Sequence, residues 1–198
     1  MKTICEAEAW NAAVNAVRKE VNSLTGPFLE KVGILLSDMK GLKKFLYELT
    51  KSVEGEAVCA ICQGRCCETG KYHFTVIDLL VYIFDGKELF TPDFSSKRCP
   101  YLGCTGCFMA PEYRPFNCIT FNCEQLESLL RHSDIQEFYG VERKLRIKYN
   151  ALEDMFGNKF VYGLLANYER DYLNAGTILF GGGFDPKSHG GCNVNHLQ

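Results

Sequence analysis

Nine of the eleven cysteines fall within one segment: Cys59, Cys62, Cys66, Cys67, Cys99, Cys104, Cys107, Cys118 and Cys123. Two residues separate Cys59 from Cys62 and Cys104 from Cys107; Cys66 follows Cys62 after three, and Cys67 adjoins it. Thiolate is the form that binds Zn²⁺ and iron–sulfur clusters, and sulfurs this close in sequence can turn toward a common metal without closing a long loop. Buried cysteine acting as a small apolar side chain is the plain alternative, but it does not account for the clustering. Disulfides are the other alternative. The start of the chain, with Lys2, Glu6 and Glu8, has no apolar stretch of signal-peptide type, so a cytoplasmic location with reduced thiols is expected. An odd cysteine total and the adjacent Cys66–Cys67 pair also fit poorly with complete bridging.

These ligands must be held by a scaffold that the rest of the chain supplies. At 198 residues the chain is long enough to build an apolar core without metal. Its formal charge of −2 gives no sign of broad nucleic-acid affinity, and no apolar run approaches the roughly 20 residues that span a bilayer. Neither nucleic acid nor a membrane is therefore expected as a partner.

Residues 1–54 read as an N-terminal helical hairpin. Thr3 and Glu6 form a capping box; Trp10, Ala13, Val14, Val17, Val21 and Leu24 recur at helical spacing; and Gly26-Pro27 starts a second helix that Gly33 and Gly41 could bend. Residues 55–124 read as a mostly irregular metal-binding region with one helix, capped by Thr75 and Asp78 and stopped at Asp85-Gly86. Residues 125–198 carry C-terminal helices, interrupted at Gly157 and ending near Asn174 to Gly176, followed by a glycine-rich tail. The expected fold is mainly α, a helical scaffold packed as one domain around an irregular, metal-stapled cysteine-rich loop region.

The run C-A-I-C-Q-G-R-C-C at Cys59 to Cys67, then Thr75-x-x-Asp78, Cys99-Pro100-x-Leu102 and Arg114-Pro115-x-x-Cys118-x-x-Phe121-x-Cys123, resembles the YkgJ-type cysteine-cluster family. That family is described as a zinc- or iron-chelating domain. The resemblance covers about 65 residues, from Cys59 to Cys123, and not the flanking helices. It implies Cys59, Cys62, Cys66, Cys67, Cys99, Cys107, Cys118 and Cys123 as metal ligands. Cys107 fits its place less closely than the others, because the segment before Arg114-Pro115 is about one residue longer than the family spacing, and Cys104 can share or replace its role. Arg114, within the Arg-Pro motif, is expected to hold a loop or a sulfur at the cofactor.

Side chains of adjacent residues diverge, so Cys66 and Cys67 are more easily accommodated by two metal positions than by one tetrahedral ion. The two motif segments are expected to fold together. Ligand type alone does not choose between zinc and an iron–sulfur cluster. His73 is read as a packing or hydrogen-bonding residue rather than a ligand; Cys5 and Cys192 are read as lying outside the site. Arg65, Lys71, Lys97 and Arg98 are either solvated charges or donors near the thiolates.

No phosphate loop, Gly-x-Ser-x-Gly elbow or dinucleotide fingerprint is present, which leaves enzyme chemistry with little support. The expected function is metal binding by a cysteine cluster, in an accessory, redox or metal-handling role. The alternatives are a small metalloenzyme with an open coordination position, and a zinc-stapled module for a protein partner whose surface uses Tyr72, Phe94, Tyr101, Phe108, Tyr113 and Phe116. The same aromatics would otherwise form the dry lining of the metal region.

Overall fold

Ala9, Trp10, Ala13, Val14, Val17 and Val21 recur at steps of three and four residues, and they are the residues that helix α1 (Glu6–Val21) buries. A computed structural model of the chain describes residues 5–61, 70–95, 99–103 and 106–181. Thr3 lies outside them. The first turn of α1 is instead closed at Cys5, whose backbone N–H donates to the Glu8 carboxylate at 3.3 Å.

Helix α2 (Gly26–Lys51) starts with Pro27 in its first turn, where the missing N–H costs no helical bond. It is continuous through Gly33 and Gly41. Gly33 faces the Phe84 ring, which a Cβ would meet at 3.6 Å, so that glycine lies against a neighbouring helix.

The segment expected to be mostly irregular contains more helix than its sequence suggests. Glu54, at φ 56°, turns the chain into the short helix α3 (Gly55–Ile61). Helix α4 (Val76–Phe84) follows a 3-10 turn at Gly70–Tyr72, and helix α5 (Phe116–Thr120) follows another at Pro111–Tyr113. One or two turns are too short for an apolar period to register, and such helices depend on tertiary packing. Between them Leu102–Gly103 (β1) and Gly106–Cys107 (β2) form a two-residue antiparallel ladder.

The helical pattern beyond Asn122 divides into α6 (Glu124–Glu127) and α7 (His132–Phe156). Arg131 occupies the α7 N-cap position, and its guanidinium donates two bonds of 2.8 Å to Asp134. Gly157 ends α7 in the left-handed conformation at φ 58°, which glycine adopts without a Cβ penalty. Helix α8 (Leu164–Ala175) begins after Phe160, which is buried ahead of it. The chain then returns to α1, where the Glu20 carboxylate accepts the backbone N–H groups of Ile178 at 2.8 Å and Leu179 at 2.9 Å.

The protein is mainly helical. Its most extensive helix pairing is α2 against α7, and one buried apolar cluster joins residues of α1, α2, α4, α7 and α8. Among the described residues no helix is long and apolar enough to cross a membrane.

The α2–α4–α7 junction contains a fully buried charge pair, Lys43 Nζ to Asp78 Oδ1 at 3.1 Å. Asp78 also accepts from the Thr75 backbone N–H (2.9 Å), the Thr75 hydroxyl (2.7 Å) and the Tyr149 hydroxyl (2.8 Å). The Thr75–Asp78 capping box expected from sequence is thus present and is joined to two other helices. A carboxylate removed from water needs such a set of donors. Replacing Lys43 by Met leaves the Asp78 charge without its counter-ion, so we expect Lys43→Met to lower unfolding free energy by about 3–5 kcal/mol in chemical denaturation. A loss below ~1 kcal/mol would show that the pair does not carry the junction.

Candidate metal centre

The chain emerging from the first cysteine motif is held at several points between Gly70 and Thr75. The His73 backbone N–H donates to the Gly70 carbonyl at 3.0 Å, closing the 3-10 turn. The Tyr101 hydroxyl donates to the Lys71 carbonyl at 3.3 Å, and Leu164 N–H at the start of α8 donates to the Phe74 carbonyl at 2.6 Å. Phe74 lies in an aromatic cluster, with ring centroids 5.1 Å from Trp10, 5.8 Å from Phe90 and 5.7 Å from Tyr101. Lys71 points outward to Glu6, at 3.0 Å. Anchored in this way, the segment meets two of the later cysteines.

Gly70 backs directly onto Cys99: a Cβ built on Gly70 would lie 2.5 Å from the Cys99 sulfur and 3.1 Å from its Cβ. Cys99 is buried, and burial pushes its thiol pKa up; the nearby Cys107 adds to the rise and the Tyr101 backbone hydrogen bond opposes it. Three residues after Gly70, His73 Nδ1 lies 3.4 Å from Cys118 Sγ. Burial lowers the His73 pKa, with the Asp78 charge acting the other way, a balance that favours the neutral imidazole. Neutral imidazole is the form that can bind a metal.

Cys118 is carried by α5, and three contacts place that helix. The Phe116 ring packs edge-on against Tyr149 of α7 at 5.1 Å, the Arg146 guanidinium lies over the Phe116 ring at 4.7 Å, and α2 packs on the same short helix. The Tyr149 pKa is raised strongly, first by burial and then by the Asp78 charge and hydrogen bond, with a smaller contribution from Cys118. Burial likewise raises the Tyr101 pKa, and Cys99, Cys118 and Cys107 are all close enough to add to it. Cys99, Cys107 and Cys118 therefore lie near the buried Tyr101, and Cys118 near Tyr149 as well.

The Arg-Pro motif enters α5 from the Pro111–Tyr113 turn. Arg114 Nε donates to the Met109 carbonyl at 3.1 Å, and its guanidinium lies 5.5 Å from the Tyr47 ring centroid. It spans the loop rather than pointing into solvent. Ahead of it, the Tyr113 hydroxyl donates to Asp85 at 2.6 Å, and Lys40 of α2 contacts the same carboxylate at 2.6 and 2.8 Å. Tyr113 thus ties the loop to the end of α4, and Lys40 joins α2 to the same carboxylate.

Cys62, Cys66, Cys67, Cys104 and Cys192 lie outside the described residues, as do Arg65, Lys97 and Arg98; Cys59 lies on α3, with its backbone alone described. Cys123 is at the N-cap position of α6, and α6 packs against α3. Cys59 and Cys123, opposite ends of the motif, are thus carried by neighbouring elements. Cys5 is exposed on α1. Among the described residues, no group of three or more His, Cys, Asp or Glu side chains is positioned to hold a metal ion.

Of the aromatics around the site, Tyr101 and Tyr113 are buried and Phe94 and Phe116 half-buried, whereas Tyr72 and Phe108 are each 58% exposed. Most of the group therefore serves as packing. Sequence reasoning missed Lys43, Tyr149 and Glu20; periodicity places Tyr149 on a buried helical face but says nothing of the carboxylate it meets. Comparison of the chain with protein-family models, curated proteins and solved structures finds no match.

The packing of this region sets two measurable costs. Gly70→Ala must displace the Cys99 sulfur and is expected to cost about 1–3 kcal/mol in denaturant melts, the range for overpacking a filled core. The second concerns Asp85 and Tyr113. Although burial raises the Asp85 pKa, hydrogen bonds from Lys40 and Tyr113 outweigh it and hold the carboxyl below its usual range. Stability from this group is complete above the ordinary carboxylate pKa of about 4 and is lost as pH falls through the lower folded value. Tyr113 is pushed up to about 12, by burial first and then by Asp85, so its contribution is lost as pH rises from about 10 toward that value. Asp85→Asn should flatten the acid limb of a stability–pH curve, and Tyr113→Phe the alkaline limb.

Proposed function

We propose that this chain is a metal-binding protein of the YkgJ type, using its cysteine cluster to hold zinc or an iron–sulfur cluster in an accessory, redox or metal-handling role. The observation that carries the reading is the meeting of separate cysteine-bearing segments: Gly70, just past the first motif, abuts Cys99, and His73 abuts Cys118. Donor chemistry supports the same reading, because thiolate and imidazole suit zinc and iron and have little use for hard cations such as Mg²⁺. Cys59, Cys62, Cys66, Cys67, Cys99, Cys107, Cys118 and Cys123 are the proposed ligands, with Cys104 able to stand in for Cys107. Bound zinc supplies a closed structural centre, whereas a cluster supplies electron transfer.

Around such a centre, this chain's own residues perform tasks that do not depend on which metal binds. Burial keeps water from the Cys99 sulfur beside Tyr101, and dry surroundings strengthen each polar contact made there. Arg114 fixes the loop that leads into α5.

Anaerobic purification followed by metal and sulfide analysis tests the proposal. Stoichiometric zinc in a colourless protein is the outcome for a zinc centre; iron with matching acid-labile sulfide and broad visible absorption is the outcome for a cluster. Cys66→Ala and Cys67→Ala should each lower metal content, while Cys5→Ala leaves it unchanged. A wild-type chain that retains no metal and carries intact disulfides on mass analysis would remove chelation as its function.

A further inference from the structure

We propose that His73 is itself a metal ligand, sharing one ion with Cys118, so that the centre is a mixed imidazole–thiolate site. The inference rests on the metal-binding reading above and goes beyond its all-cysteine ligand set. In a tetrahedral site with Zn–N of about 2.0–2.1 Å and Zn–S of about 2.3 Å, the two donor atoms are roughly 3.5 Å apart. His73 Nδ1 and Cys118 Sγ are 3.4 Å apart. The pair already has the separation of two ligands on one ion.

The surroundings of the pair make that separation a property of the fold. His73 cannot drift far, because its own N–H is bonded to Gly70 and the next residue, Phe74, is held by both Leu164 and the aromatic cluster. Thr75, one residue further on, is bound through its N–H and hydroxyl to the buried Asp78 carboxylate. Cys118 is positioned from the opposite side by Phe116 against Tyr149 and Arg146. Ring and thiol thus come from different segments, 45 residues apart, and each is oriented by packing that does not involve the other.

The chemistry balances simply. On binding Zn²⁺, Cys118 releases its thiol proton to solvent and His73 binds as neutral imidazole through Nδ1, its remaining proton being on Nε2. Such a pair completed by two further thiolates is a mononuclear zinc site of the Cys₃His kind, in contrast to the four thiolates of an ordinary cubane. Mixed ligation therefore favours zinc at this position.

X-ray absorption on the full chain, reduced and loaded anaerobically with Zn²⁺, tests this directly. The expected shell contains a nitrogen at about 2.0–2.1 Å beside sulfurs at about 2.3 Å. His73→Ala should remove the nitrogen contribution and weaken zinc binding by more than the roughly 10–100-fold that loss of an outer-sphere partner costs. His73→Cys should retain zinc with an all-sulfur shell, which separates loss of a ligand from loss of the fold. An all-sulfur shell in the wild type, or a nitrogen contribution that persists in His73→Ala, would overturn the assignment of His73 while leaving cysteine chelation intact. Failure of the wild-type chain to bind zinc or any other metal would overturn both.

Discussion

A carboxylate and an ammonium, both removed from water, meet where α2, α4 and α7 pack together. Asp78 and Lys43 each need the other, since a single buried charge without a partner costs several kcal/mol. The hydrogen bonds that complete the Asp78 shell come from Thr75 and Tyr149, so the same carboxylate caps a helix and joins it to two others. Thr75 ends the short segment that carries Gly70 and His73, and Tyr149 backs the helix that carries Cys118. The positions of His73 and Cys118 thus depend on an ion pair that contains neither of them.

From this junction the region is built by tethers of unequal kind. Close packing governs Gly70 against Cys99, where no Cβ fits. Hydrogen bonds to backbone carbonyls govern the Arg114 loop and the Lys71 turn. Aromatic packing from Trp10 to Phe74, Phe90 and Tyr101 excludes water beneath them. Under the proposed metal-binding reading, such a platform holds Cys99, His73 and Cys118 in place ahead of any ion, which reduces the ordering cost of binding.

The longer helices were legible because their apolar residues recur at the helical period over several turns: Val17 and Val21 in α1, Leu36 and Met39 in α2, Phe138 and Leu145 in α7. The Thr75–Asp78 cap was legible for another reason, since a capping box is a local interaction between residues three apart. Helices α3 and α5 were not, being too short to display a period. The break between α6 and α7 was also hidden, because Leu126 and Leu130 keep the apolar spacing across it while the backbone turns. In the candidate site, clustering and the family resemblance singled out Cys99 and Cys118, yet gave no reason to join either to Gly70 or His73.

What the sequence by itself determined is therefore local: which segments are helical, where several of them start and stop, and which thiols are numerous and close enough to serve as a ligand set. What only the tertiary structure decided is which distant residues meet. Lys43 and Asp78 are 35 residues apart, His73 and Cys118 are 45 apart, and Glu20 reaches the backbone of Ile178 and Leu179 across nearly the whole chain. Local interactions recur at fixed offsets and so leave a pattern in sequence. Long-range pairings have no fixed offset; they follow from how helices pack and from the requirement that each buried charge and backbone donor find a partner.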